Sequence, residues 1–262
     1  MRQVKAEVYL VSQPAVEWVQ VQQYLDDIGV EDSDGVIGNF SEHDGEALVE
    51  IGGKTCYRSF EVGLNANVTR IREDSKEYLG NILKSGHGSV LEHANYSFIL
   101  HNVSRVLTHE FVRHRAGVAV SQESLRFVRL TDIPFWFPDW ALADAALMER
   151  SVDLLLRMEM HQQWMSEHFG LEKESMTFSK KKYYTSFMRR FAPEGVTTTL
   201  MATINMRSLR HIIYMRTALG AEEEIRIVCD KMAEKALEVA PNLMQDYSPN
   251  EHREWIPEFL KV

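Results

Sequence analysis

The chain has 262 residues, 45% of them hydrophobic, and its 38 acidic side chains outnumber 29 basic ones for a formal net charge of -9. That length buries a sizeable core in one large domain or two small ones, and that acidity excludes a surface built throughout to grip nucleic acid, because such binding rests on spread phosphate contacts. Cys56 and Cys229 are too few for a disulfide framework or a structural zinc site, and no apolar run reaches the roughly 18 residues of a membrane span, so the expectation is a cytoplasmic protein with neither nucleic acid nor membrane as partner.

In chain order, "AEVYLV" (6–11) predicts a strand, and the Gly- and Asp-rich run "DDIGVEDSDGVIGNFSEHDGE" (26–46) predicts an irregular connection. "REDSKEYLGNILKSG" (72–86) fits a helix ending at Gly86, and "ANYSFILHNV" (94–103) alternates as a half-buried strand does. A helix follows from about Ser104 through Arg115, with Val106, Leu107, Phe111 and Val112 as its apolar face. "LRFVRL" (125–130) reads as a short strand, and Pro134 with Pro138 marks a turn before a long helix from about Asp139 to residues 169–170. A second helix covers much of 171–191 and stops before Pro193, and "VTTTLMATI" (196–204) is rich in β-branched residues, as strands are. Asn205 is placed to cap a helix carrying Arg207, Arg210, His211 and Arg216, and a last helix runs over 221–240. No repeat or linker divides the chain. The prediction is α+β: a helix-rich single domain over 1–262, with a few strands in one central mixed or antiparallel sheet.

Three stretches carry the candidate chemistry. "SGHGSVLEH" (85–93) has Ser89 and Glu92 at the spacing of a capping box, which a structural role alone explains. Its His87, Glu92 and His93 match neither H-E-x-x-H nor H-x-x-E-H, so no metal site is expected. A helix start there would attract an anion, with His87 just ahead of it. "NMRSLRHIIYMR" (205–216) sets Arg207, Arg210 and His211 on one helical face, which by itself is as readily a solvated basic face as a binding surface. "RHRAGVAVSQESLR" (113–126) concentrates cations in an acidic chain. With Arg189 and Arg190 these are separate arginine-rich places, and guanidinium groups hold phosphates bidentately, so their convergence would make a nucleotide pocket. There is no G-x-x-x-x-G-K-[ST], no strand-linked G-x-G-x-x-G and no G-x-S-x-G. The aromatic run "FWFPDW" (135–140) reads as packing.

Taken together, these motifs resemble the flavin-dependent thymidylate synthases, the ThyX family, whose signature is R-H-R, seven residues, then Ser, continuing as S-Q/E-x-S-x-R. The match falls at Arg113, His114, Arg115, Ser121, Gln122, Ser124 and Arg126, and extends to "KTCY" (54–57), "SGHGSVLEH", "MRRFAP" (188–193) and "INMRSLRHIIYMR" (204–216). Two departures stand out: eight residues rather than seven separate Arg115 from Ser124, the extra one within "AGVA", and Glu110 stands where the family has a glutamine. Residues 12–46 have no counterpart in the pattern and are expected to be an insertion.

The resemblance implies reductive methylation of dUMP to dTMP, with 5,10-methylenetetrahydrofolate as carbon donor, NADPH as reductant and FAD as the hydride carrier. It implies an FAD site formed by Cys56, His87, Ser89, Glu92, Arg113, His114, Arg115, Asn205, Arg207 and His211. It implies a dUMP site formed by Glu110, Arg113, Gln122, Ser124, Arg126, Arg189 and Arg216, with Arg126 and Arg189 on the phosphate. The implied catalytic set is Arg216, which polarises the uracil ring, His87 near the flavin and the folate, and Ser124. Ser124 is read as a ligand, because an unassisted hydroxyl is a weak nucleophile. A homotetramer with active sites shared between subunits is also implied. Two alternatives remain open at this point: a paralogue alkylating C5 of another pyrimidine nucleotide, and a non-catalytic nucleotide- or flavin-binding protein of the same fold.

Overall fold

A computed structural model describes residues 1–126, 130 and 132–262. The first half of the chain runs β1 (Arg2–Gln3), β2 (Glu7–Ser12), α1 (Trp18–Asp27), α2 (Ser33–Gly38), α3 (Asp44–Tyr57), α4 (Ser75–Ser85), a 3-10 turn (Gly88–His93), β3 (Asn95–Ser104), α5 (Arg105–Phe111) and β4 (Val118–Gln122). The second half runs β5 (Pro134–Phe135), α6 (Asp139–Leu142), α7 (Ala145–His168), α8 (Phe178–Met188), a 3-10 turn (Arg189–Phe191), β6 (Thr197–Asn205), α9 (Met206–Thr217), α10 (Glu223–Val239), β7 (Tyr247–Pro249) and β8 (Trp255–Pro257).

The strands that organise the molecule form one four-stranded sheet in the order β2-β3-β6-β4, antiparallel at every pairing. Two short pairs stand apart from it, β1 with β5 in parallel and β7 with β8 antiparallel. The alternation expected of β3 is present: Tyr96, Phe98 and Leu100 are buried in the core, whereas Asn95 and His101 are exposed. A bulge then shifts the register between Leu100 and Val103, where Asn102 takes φ 57, and Val103 turns into the core. Residues of α4, α9 and α10 complete the main apolar cluster, among them Leu79, Leu83, Leu209, Ile213, Val228 and Met232. No helix among the described residues is long and apolar enough to cross a membrane.

The run 26–46 is not the irregular connection its composition suggested. Its Gly and Asp residues punctuate helices instead. Gly29, at φ 85, closes α1 as Val30 N–H donates to Leu25 O at 3.0 Å, and Asp32 opens α2 by accepting from the Gly35 amide. These helices bury Leu25, Val30, Phe40, Ala47 and Phe60 in a cluster of their own.

Other boundaries moved for similar reasons. Asp144 accepts from the Leu147 amide and so starts α7 afresh, dividing the helix expected from Asp139 into α6 and α7. The helix expected over 104–115 starts as predicted, with Ser104 as its cap, but ends at Phe111, leaving "RHR" outside it. Leu107 and Phe111 are buried as expected, while Val106 and Val112 are exposed. Ser89 and Glu92 form no capping box: the segment is a 3-10 turn headed by His87 without a side-chain cap, and Glu92 pairs elsewhere. The strand expected over 125–130 lies largely outside the described residues.

Candidate functional site

The first three residues of the "RHR" stretch sit in the turn that leaves α5. Arg113 N–H donates to Glu110 O at 3.2 Å and His114 N–H to Phe111 O at 3.1 Å, so the helix winds down into this turn. The chain then reverses at Ala116 and Gly117 to enter β4. Gly117 has φ 64, and a Cβ there would lie 2.1 Å from Asn205 Nδ2 and 2.6 Å from Ser208 Oγ. Only glycine fits a left-handed backbone in that space. The start of α9 clamps this turn: Asn205 N–H donates to Gly117 O at 3.0 Å and Ser208 Oγ to Ala116 O at 2.7 Å. Asn205 Oδ1 meanwhile accepts from Ser208 N–H, capping α9 as predicted.

The third wall comes from the 3-10 turn. Glu92 accepts from Arg207 Nη1 at 2.6 Å, and Arg207 lies so close over Gly88 that a Cβ there would meet its Nε at 2.8 Å. Glycine at 88 and the carboxylate at 92 thus fix how Arg207 faces the space. Together these elements enclose an open cleft of ≈ 650 Å³ lined by Glu92, Arg113, His114, Arg115, Asn205, Arg207 and His211, along with Ala116, Gly117, Ser208 and Ile212. Seven residues assigned to the cofactor site by resemblance therefore meet in one cavity. Gly117, Ser208 and Ile212 were not foreseen. The signals for the first two were there, a lone glycine between small residues and a serine three after a cap.

Behind this wall lies a polar triad. Arg216 donates from Nη1 to Glu110 Oε2 at 2.6 Å, from Nη2 to Glu110 O at 3.2 Å, and from Nε to His114 Nε2 at 2.9 Å. Because Nε2 accepts, the His114 proton sits on Nδ1. Burial, with Arg216 and His211 nearby, pushes the His114 pKa down to about 4, so the ring is neutral near pH 7. Glu110 thus fixes a guanidinium beside His114, itself a lining residue of the cleft, and the neutral imidazole completes its hold.

His87, Cys56 and Ser89 lie elsewhere. His87 stacks on Tyr57, ring centroids 6.0 Å apart, and helps line a second cleft of ≈ 450 Å³ with Lys54, Arg70, Arg72 and Tyr78. Cys56 is an exposed free thiol in the last turn of α3. Ser89 is exposed and lines neither cleft. Arg210 does not share the face of Arg207 and His211. Its side chain is 0% exposed and forms a two-pronged ion pair with Asp246 at 2.8 and 2.9 Å. On a helix it falls about 60° to the far side of Arg207, which turns it toward the C-terminal segment, where it also lies over the Tyr247 ring.

The "SQESLR" half is at the other end of β4. Gln122 Nε2 donates to Thr108 Oγ1 at 3.2 Å, and Ser124 Oγ accepts from the Arg126 amide at 3.3 Å. Thr185 Oγ1 donates to Arg126 O, tying that residue to α8, and exposed Arg189 opens the 3-10 turn that follows α8. β4, which includes Ser121 and Gln122, carries the chain from "RHR" toward Ser124 and Arg126, a strand length of roughly 17 Å. Within one chain the arginine-rich stretches therefore form two groups, not one.

The chain matches the model of the thymidylate synthase complementing protein family over residues 40–242. It is 32% identical over 210 residues to a flavin-dependent thymidylate synthase of Corynebacterium efficiens, an alignment covering 78% of this chain and 80% of that one. In fold it is similar to the UMP/dUMP methylase PolB from Streptomyces cacaoi bound with 5-Br UMP, with TM-score 0.58 and 16% identity over 93% of this chain and 94% of that one. It is also similar to ThyX from Helicobacter pylori with FAD and dUMP, with TM-score 0.51 and 20% identity over 76% and 94% of the two chains. On this footing the chain belongs to the thymidylate synthase complementing protein family, the family of its flavin-dependent thymidylate synthase relatives.

Proposed function

We propose that this protein is a flavin-dependent thymidylate synthase, converting dUMP and 5,10-methylenetetrahydrofolate to dTMP and tetrahydrofolate with NADPH as reductant, in a cytoplasmic setting. The observation that carries this reading is the single cleft into which Arg113, His114, Arg115, Asn205, Arg207 and His211 converge. Its donor set suits FAD: arginines and the start of α9 offer positive charge to a pyrophosphate, and the Gly117 turn keeps side chains out of the way. FAD, when bound, supplies the hydride that reduces the transferred carbon to a methyl group.

The chain's own groups bind, orient and stabilise charge. Arg216, steadied by Glu110 and His114, presents a permanent cation to the uracil ring, where negative charge develops as C5 attacks the methylene carbon. Arg126 and Arg189 hold the nucleotide phosphate, with Gln122 and Ser124 fixing the nucleoside beside it. His87 and Tyr57 edge the second cleft, on the folate side. Since "RHR" and "SQESLR" lie at opposite ends of β4, a homotetramer whose subunits each lend one half to a shared site is the assembly that fits. Residues 12–46 are an addition to the family's domain. That reading is supported over residues 12–39, which precede the start of the family model at residue 40, and by α1 and α2 packing on a separate cluster.

The test is direct. The purified protein should be yellow with bound FAD, oxidise NADPH, and form dTMP only when dUMP and methylenetetrahydrofolate are both present. A colourless tetramer that cannot be loaded with FAD would end the proposal. Release of the C5 proton across a panel of pyrimidine nucleotides separates dUMP from other substrates.

A further inference from the structure

The 17 residues between α3 and α4 (58–74) hold neither helix nor strand, a length that in a compact domain marks either a functional or a disordered loop. This loop supplies one side of the second cleft, through Ser59, Asn65, Asn67, Thr69, Arg70 and Arg72 among others. Ordering so long a segment costs conformational entropy. Its own side-chain bonds are few: Asn65 Nδ2 donates to Tyr57 O at 2.7 Å, and the Asn67 amide to Asn65 Oδ1 at 3.0 Å.

The rest of the hold comes from α1 and α2, which lie ahead of residue 40, where the family match begins. Phe60 is 2% exposed and, with Leu64, packs into the apolar cluster of Leu25, Val30 and Ala47. Tyr24 of α1 meets the Phe60 ring edge-on, centroids 5.9 Å apart. Polar bonds flank this anchor: Arg58 Nη2 donates to Ile28 O at 3.2 Å and the Glu31 amide to Glu61 Oε2 at 2.9 Å. At the loop's far end Ser75 Oγ donates to Asn39 O at 3.2 Å. Arg58 itself takes a left-handed φ of 47, a conformation that a non-glycine residue keeps only when its surroundings enforce it. The same unit reaches under the cleft, because Phe40, just past α2, lies 4.8 Å from Nζ of Lys54, a lining residue.

We propose that α1 and α2 brace the 58–74 loop, with Phe60 as the pin, so that the wall of the second cleft is preformed before its ligand arrives. Phe60 is thereby a positioning residue: it acts through the loop that carries Asn65, Arg70 and Arg72, not on a ligand. A ligand that must first recruit a wandering wall binds more weakly, in proportion to the fraction of molecules whose wall is in place. The inference rests on the folate reading of this cleft for the identity of the ligand, but not for the brace.

The experiment uses the intact, FAD-loaded protein and the variants Phe60→Ala, Phe60→Leu and Arg58→Gly. Native-state trypsin cleavage after Arg70 and Arg72, mapped by mass spectrometry, reads the loop, and steady-state kinetics reads the cleft. Phe60→Ala should be cut in the loop roughly tenfold faster than the wild type, since cleavage tracks the open population. Its KM for methylenetetrahydrofolate should rise about tenfold for the same reason, with kcat, KM for dUMP and FAD content unchanged, because saturating ligand restores the wall. Phe60→Leu keeps an apolar side chain in the socket and should recover most of both effects. Arg58→Gly removes the bond to Ile28 O while suiting the left-handed backbone. It should show a smaller change in the same direction, and it serves if Phe60→Ala does not fold. Wild-type cleavage and KM in the folded variants would overturn the proposal, as would a fall in kcat and FAD content at constant KM, the mark of general destabilisation. Faster cleavage with an unchanged KM for methylenetetrahydrofolate leaves the brace standing and ends the folate reading of the cleft.

Discussion

Replacing Gly117 by alanine tests whether the turn between "RHR" and β4 is as constrained as it looks. The residue has φ 64, and its added Cβ would fall 2.1 Å from Asn205 Nδ2. A left-handed backbone at a non-glycine residue costs about 1–2 kcal/mol, and displacing Asn205 from its capping bond to Ser208 N–H costs about 1 kcal/mol more. The sum is about 2–3 kcal/mol, which for a chain of this size lowers Tm by roughly 5–10 °C. The effect should extend to the cofactor, because Asn205, Ser208 and Gly117 all line the cleft, so FAD content should fall with Tm. Gly220→Ala is the control: nothing lies within 4 Å of a Cβ there, and that variant should match the wild type in both measurements. A Gly117→Ala protein with wild-type Tm and full FAD would refute the argument and show that the turn has room to rearrange.

Three further outcomes are expected. Asp246→Ala leaves the Arg210 guanidinium buried without its partner, so urea unfolding should register a loss of about 3–5 kcal/mol, while Arg207→Gln, at the cleft, should cost far less stability but reduce FAD content. Glu110→Gln replaces a charged acceptor of Arg216 by a neutral one and loses about 1–2 kcal/mol of that hold. It should appear as a roughly tenfold lower kcat with FAD content intact, and an unchanged kcat would remove Glu110 from its positioning role. Burial raises the Glu224 pKa to about 7 against the opposing hydrogen bonds from Ser104. The folded state therefore holds a proton that the unfolded chain has released, and the contribution to stability is full below pH 4.5 and lost as pH rises through about 7. Over that window Tm of the wild type should decline more than that of Glu224→Gln; parallel curves would contradict the assignment.

Much of the fold was legible where a local signal had a local cause. Gly86 ends α4 in the left-handed region at φ 70, Asn205 caps α9, and the β-branched run of β6 is a central strand, each as the sequence suggests. The misreadings share a cause too. Asp32, Gly29 and Asp144 are residues that both interrupt structure and terminate helices, and the choice between the two was made by contacts remote in sequence. Trp18 and Val21 of α1 pack against a cluster with Ala47 and Phe60, which lie outside the run 26–46. Glu92 likewise had a plausible local partner in its own backbone but is held by Arg207, 115 residues away.

The site divides along the same line. Of the ten residues that the resemblance assigns to the cofactor, whose order along the chain matches a family pattern, seven meet in one cleft and Cys56, His87 and Ser89 do not. What spacing cannot supply is the direction in which a helical face points. Arg207, Arg210 and His211 lie within one turn of α9, and periodicity treats the three as neighbours, yet Arg210 is fully buried on Asp246 and Tyr247 while the other two line the cleft. The deciding residues are a carboxylate and a tyrosine some 36 positions downstream.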